Sequence, residues 1–343
     1  MWPRKGHSKR VGSRSSSMRS YILRRLLMLV PTLFLVTIIV FFLVDLMPGD
    51  AIDAMISQGG VDMELDREYL EHLLGLDVPK IVQYGRWLGV APNNEGDFSG
   101  ILQGDFGVSW RERISVLKLI SLKWPVTLEL GILAMLIAQV IALPIGVLSA
   151  LRQDKWVDYV GRSIAILFIS LPVFWVGTMV IVIPSILWGY MPPIVMVPFL
   201  EDPIANLKMF VVAAIVLGMS MIGMTMRMTR TMMLEVLRQD YIRTAWSKGL
   251  REKVITVRHA LKNALIPVVT VIGFQVPLLI GGTVIIEKIF NLPGMGGLLI
   301  GGAQQRDQPL VSGVLVFFAV ILVLTNLLID LTYAYLDPRI HYN

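Results

Sequence analysis

Few side chains in this chain could carry bond-making chemistry. Its 343 residues include 4 histidines, at positions 7, 72, 259 and 341, and no cysteine. Disulfides, thiolate metal sites and cysteine nucleophiles are excluded. The histidines show no zinc signature and support no Ser/His/Asp arrangement. The sequence has no Gly-x-x-x-x-Gly-Lys-[Ser/Thr] loop, nor any Gly-Lys pair, so it lacks that means of cradling a nucleotide phosphate. The expectation is a chain with no catalytic residue, no metal ligand and no cofactor of its own.

The remaining polar chemistry lies inside apolar runs, where ionisable groups are costly. Asp45, Glu129 and Glu287 fall near the ends of such runs on one side, and Asp330 near an end on the other. Their plainest reading is as boundary residues hydrogen-bonded locally. No run carries a central acid–base pair, which argues against a proton pump or a proton-coupled carrier. Pro144, Pro172, Pro184, Pro267 and Pro277 each remove a backbone donor and bend a helix. With Gln139, Gln275, Asn326, Gly281 and Gly282 they mark either ordinary packing or a polar path. The path residues expected are Gln275, Pro277, Gly281 and Gln139.

A second concentration of chemistry is positive. Residues 227–262 carry nine Lys and Arg. Asp240 suits an N-cap and Gly249 a position just past a helix end, so 241–248 reads as a two-turn helix. Ala245 is small enough for close approach of a partner backbone. From Glu252 a second helix is expected, with Val254, Val257, Leu261 and Leu265 as its apolar stripe. A short helix, a glycine and an amphipathic helix feeding a membrane span would form a lever. The same residues could also lie on anionic lipid.

Such groups need a membrane scaffold. Hydrophobic residues make up 55% of the chain and charged residues 16%, with a mean hydropathy of +0.67. Six runs can cross a bilayer as helices, at 22–47, 126–151, 163–188, 209–226, 264–286 and 310–336. Of the 31 Lys and Arg residues, 21 fall in the tail, the second-to-third and fourth-to-fifth connections and the C-terminus. That side should be cytoplasmic, with both termini inside. The +6 net charge is thereby explained without nucleic acid. The organisation expected is a disordered basic tail (1–20), a retained first span (21–47), an extracytoplasmic segment (48–125), and a five-helix core (126–343) bearing the loop 227–262.

The stretch from Asp240-Tyr241-Ile242-Arg243 to Lys248-Gly249-Leu250, continued by Arg258-His259-Ala260-Leu261-Lys262-Asn263 and on to Pro267, resembles the signature loop of ABC importer permeases of the dipeptide/oligopeptide/nickel branch. It departs from that pattern at Trp246, where a smaller residue is usual. Further marks are Pro48-Gly49-Asp50, Gly104-Asp105-Phe106-Gly107 with Ser109, Thr127-Leu128-Glu129-Leu130 and Ser170-Leu171-Pro172-Val173-Phe174-Trp175. Pro293-Gly294-Met295-Gly296, Arg306-Asp307 and Asp337-Pro338-Arg339-Ile340 complete them. Each is weak alone, and their order and spacing make them specific.

The resemblance implies an all-α permease of the type I ABC importer kind, multi-pass in the cell (inner) membrane and not itself an enzyme. It also implies a second homologous permease subunit, two ATP-binding subunits and an extracytoplasmic substrate-binding protein. ATPase coupling is assigned by it to Asp240, Tyr241, Arg243, Ala245, Lys248, Gly249 and Leu250, and binding-protein docking to Gly104, Asp105, Arg306 and Asp307. The cargo is a di- or oligopeptide or a similar solute; nickel-chelate, glutathione and oligosaccharide carriers look alike at this level. The competing class is a stand-alone channel or ion-coupled secondary transporter.

Overall fold

The computed structural model describes residues 14–46, 52, 67–94, 96–191, 193 and 195–336, and is helical throughout apart from turns and one isolated bridge between Val108 and Ser115. The expectations for Pro48-Gly49-Asp50, for the tail before residue 14 and for the end after residue 336 lie outside the described residues. Helix α1 (Arg14–Asp45) already includes residues assigned by composition to a disordered tail. Two short helices follow, α2 (Arg67–Leu73) and α3 (Lys80–Leu88). The membrane helices are α4 (Val116–Leu151), α5 (Trp156–Ser170), α6 (Val173–Trp188) and α7 (Pro203–Leu237). Then come α8 (Asp240–Ser247), α9 (Lys262–Ile289), α10 (Met295–Gln304) and α11 (Gln308–Leu336).

Among the described residues five helices are long and apolar enough to span a bilayer, and α5 with α6 makes a sixth only as a bent pair. The run 163–188, expected as one span, turns by 97° at Leu171-Pro172. Proline has no N–H to continue α5, and it pushes the residue before it into an extended conformation, here φ −81° and ψ 129°.

Helix α7 is the centre. Of its apolar window, 72% is buried, against 17–28% for the other spanning helices. Small residues let its neighbours close on it. Ala134, Ala138, Ala142 and Gly146 recur every fourth residue along α4 and are buried. A Cβ on Gly146 would stand 2.8 Å from Thr229, and one on Gly223 of α7 would stand 2.6 Å from the Ala165 carbonyl of α5. Between membrane helices, where lipid removes the hydrophobic drive, this close packing supplies the attraction.

The segment before α4 sits against α1 and α11. Tyr84 and Trp87 of α3 meet Phe41 with ring centroids at 5.4 and 5.6 Å, and Lys80 pairs with Asp45 at 2.5 Å. On the opposite side Arg25 of α1 holds Asp330 of α11 at 2.8 Å. Asp45 and Asp330, two of the boundary carboxylates read as locally bonded, thus each tie one element to another.

Candidate functional site

The loop after α7 folds into the expected short helix, with two differences. Helix α8 begins at Asp240 rather than after it; Gln239 occupies the N-cap and makes no side-chain cap bond. It ends as expected, because Gly249 takes φ +74°, the left-handed region that glycine enters without strain. The second difference is which way the helix faces. Ile242 and Ala245 are buried, in a cluster with Ala150, Met233, Ile255, Ala260 and Ala264. The small side chain of Ala245 therefore packs against the chain's own body. The outward face carries Tyr241, Arg243, Trp246, Lys248, Gly249 and Leu250, with Asp240 fully in solvent beside Arg243.

The Tyr241 hydroxyl accepts from Asn263 Nδ2 at 2.9 Å and donates to the His259 carbonyl at 3.4 Å. Asn263 opens α9, so one phenol ties the short helix to the start of a membrane helix. Neither Asn263 nor the carbonyl of His259 stood out as a site group. Both lie in the quoted motif, and the i, i+4 bond from Asn263 to His259 (3.0 Å) is the local signal that could have found them.

The stripe expected at Val254, Val257, Leu261 and Leu265 is overturned. Val254 and Val257 are 37% and 54% exposed, and the buried row is Ile255, Ala260, Ala264 and Val268. The first step of that row is five residues, since Ile255–Leu261 is a π-helix leading into α9. One extra residue per turn rotates the face away from any 3.6-residue template. Such π segments concentrate at functional positions.

Against α7, α9 leaves a cleft of about 310 Å³ whose wall includes Phe174, Leu217, Ser220, Met224, Gln275 and Leu278. Gln275 is 1% exposed and donates to Thr225 Oγ1 at 3.1 Å, joining α9 to α7 beside the cleft. Gly281 stands exposed on the open face of α9 with Phe274, Leu278 and Ile285. Pro277 is half-buried in α9, and Gln139 donates to Met135 Sδ within α4; neither lines the cleft.

On the far side the scattered motifs converge. Thr127 Oγ1 donates to Glu287 Oε1 at 2.5 Å and accepts from the Met295 N–H at 2.8 Å. Glu287 Oε2 accepts from the Gly296 N–H at 2.6 Å, and Glu287 is fully buried. A carboxylate and a hydroxyl thus cap the first turn of α10, where orphan N–H groups and the helix dipole favour negative charge. The bond between Glu287 and Thr127 reaches across 160 residues, so the local reading of that carboxylate is incorrect.

The Asp105 carboxylate, exposed, accepts from Ser99 Oγ (2.9 Å) and the Gly107 N–H (2.8 Å). Gly104 beside it is an open turn at φ +81°. Asp307 is 2% exposed; it accepts from Ser109 Oγ at 2.5 Å and from the Leu310 N–H at 3.2 Å, capping α11. It therefore offers a partner almost no surface, whereas Arg306 next to it is half-buried. Asp307→Ala is expected to cost about 2 kcal/mol, from one lost cap and one orphaned hydroxyl. Thermal unfolding in detergent measures this, and an unchanged midpoint would refute the tie.

Comparison with known proteins now has a structure to rest on. Residues 142–342 match the family described as binding-protein-dependent transport system inner membrane component, and residues 18–131 match the family described as the N-terminal part of the membrane component of such systems. The dipeptide transport system permease protein DppB of Escherichia coli (strain K12) is 36% identical over 95% of this chain and 99% of its own length. The oligopeptide transport system permease protein AppB of Bacillus subtilis (strain 168) is 38% identical over 95% of this chain and 100% of its own. The chain belongs to this family: it is a multi-pass inner-membrane permease subunit of a binding-protein-dependent ABC importer, of type I fold, with ATP hydrolysis in separate subunits. The stand-alone channel or ion-coupled carrier is not favoured.

Proposed function

We propose that this permease subunit carries di- and oligopeptides, forming half of the path with a second homologous permease, two ATP-binding subunits and an extracytoplasmic binding protein. The observation that carries the cargo is the likeness to permeases named for dipeptide and oligopeptide transport over nearly the whole chain. The basic-loop side is then cytoplasmic, with both termini there. Helix α8 docks on an ATP-binding subunit through Asp240, Tyr241, Arg243, Lys248, Gly249 and Leu250, and Ala245 anchors it to the permease body. Closure of the ATP-binding pair pulls α8. Tyr241 and the buried cluster pass the pull through the π-helix to α9. The cleft beside Gln275, with Gly281 and Pro277 on the same helix, opens toward the binding protein, which docks at the Gly104-Asp105 turn and Arg306. Gln139 contributes from α4 when the two permeases close on each other.

The test is uptake of labelled peptides by the reconstituted importer. Uptake should require ATP and the binding protein; uptake under an ion gradient alone would refute the reading. Reversing Arg243 and Lys248 to glutamate should weaken association of the ATP-binding subunit by at least about tenfold, because both charges sit on the exposed rim. Unchanged association in a pull-down would move the interface elsewhere.

A further inference from the structure

Three guanidinium groups converge where α5 meets α7 on the basic-loop side. Arg162 comes from α5, and Arg227 and Arg230 from α7; they line a recess of about 210 Å³ floored by Ala165, Ile166 and Met226. One carboxylate answers them directly. Asp158 is fully buried and holds Arg230 through Nε at 2.6 Å and the second guanidinium nitrogen at 2.7 Å. Arg162 stands 3.7 Å from the same carboxylate and lies 4.7 Å over the ring of Tyr159. Arg227 is exposed and, among the described residues, in no ion pair. The carboxylate of Asp154 accepts from Gln153, and Arg152 and Lys155 flank it. The recess therefore keeps an excess of positive charge.

The outward face of α5 says what surrounds that charge. Trp156 and Tyr159 are 75% and 55% exposed on its first turns, and Ile166 and Leu167 are 59% and 51% exposed further along. Aromatic rings followed by aliphatic side chains are the signature of a helix passing from the membrane interface into hydrocarbon. Arg162 lies six residues on from Trp156, ~9 Å along the axis, between the rings and the aliphatic row.

We propose that this recess binds the phosphate of an anionic phospholipid from the leaflet on the basic-loop side. The phosphodiester oxygens meet Arg162 and Arg227, whose planar forks suit a phosphate, while Arg230 stays committed to Asp158. The acyl chains run from the floor at Ile166 onto the aliphatic face of α5. A free anion would satisfy the charge but leave that apolar continuation uncovered. Basic recesses between membrane helices are suited to such head groups.

The experiment uses the full-length chain in phosphatidylcholine nanodiscs containing a minority of phosphatidylglycerol, with retained lipid counted by native mass spectrometry. Wild type should keep phosphatidylglycerol through mild delipidation. Arg162→Gln with Arg227→Gln should lower retention ~25-fold, at about fivefold per cationic side chain. Arg227→Gln alone, which breaks no ion pair among the described residues, should lower it about fivefold. Arg251→Gln with Lys253→Gln removes two loop charges outside the recess and should change nothing. Equal retention by the recess variants, or equal loss in the loop variant, overturns the proposal. Inorganic phosphate supplied to discs of phosphatidylcholine alone should not stabilise the chain; stabilisation equal to that from phosphatidylglycerol would assign the recess to a soluble anion instead.

Discussion

Gly296→Ala should unfold the half of this permease that lies opposite the basic loop, because there is no room for one methyl group. Its Cβ would stand 2.5 Å from Val284 Cα, 2.7 Å from the Val284 carbonyl and 2.9 Å from Glu287 Oε2. Two of those neighbours are backbone atoms of α9 and cannot rotate away. Helix α10 must therefore move, which breaks the Gly296 N–H bond to Glu287 and the Met295 N–H bond to Thr127. Glu287 then stays buried with fewer partners. Each buried polar group left without its hydrogen bond costs about 1–3 kcal/mol, a large share of the ~5–15 kcal/mol that holds a folded protein together. Glu287→Gln keeps the shape and one acceptor, so its cost should be smaller, about 1–2 kcal/mol. Gly297→Ala is the control: nothing lies within 4 Å of its Cβ, and alanine favours a helix over glycine by about 0.8–1.0 kcal/mol. Thermal unfolding in detergent should rank Gly296→Ala well below wild type and Gly297→Ala at or slightly above it. The clamp is wrong if the two alanine variants unfold alike.

That clamp also shows what the sequence could and could not disclose. Hydropathy located five of the six expected spans because lipid demands ~20 apolar residues at a time, but it could not disclose the 97° turn that splits the run 163–188. Gly249 could be read locally, since a left-handed residue after a short helix depends on its neighbours alone. Thr127, Glu287 and Pro293-Gly294-Met295-Gly296 were each visible as motifs, but their union depends on α4 and α9 packing side by side. Asp158 lay unremarked in a basic connection, although an acid among Arg152, Lys155 and Arg162 needs a partner if buried; of the two acids there, Asp154 and Asp158, Asp158 is the buried one, and Arg230 is its partner. The π-helix was illegible for a different reason. An apolar stripe drawn at 3.6 residues per turn fits Val254, Val257, Leu261 and Leu265, and only the packed body reveals that Ile255 and Ala260 are the inward pair. Ala245 misled through its size: a small residue on a short exposed helix suits two close approaches, and the helix direction chooses between them.

Ala245→Trp should abolish peptide uptake while the protein still inserts. Helix α8 has eight residues and two buried side chains, Ile242 and Ala245. Its hold on the body is modest: burial of one isoleucine, about 1.5–3 kcal/mol, and the Tyr241–Asn263 hydrogen bond, about 0.5–1.5 kcal/mol. An indole at position 245 must enter a cluster already filled by Ala150, Met233, Ile255, Ala260 and Ala264. Overpacking costs about 1–3 kcal/mol or more, comparable to everything that retains the helix. The spans pack elsewhere and should be unaffected, so the outcome is a released α8 on an intact permease. Trypsin should cut after Lys248 faster than in wild type, and peptide-stimulated ATP hydrolysis by the reconstituted importer should fall to the basal rate. Trp246→Ala provides the contrast, because Trp246 is 50% exposed and points away from the cluster. It should leave the trypsin site protected and act only through the docked partner. Uptake near the wild-type rate from an Ala245→Trp protein whose α8 is demonstrably released would mean that the pull reaches α9 by another route, and the lever would have to be given up.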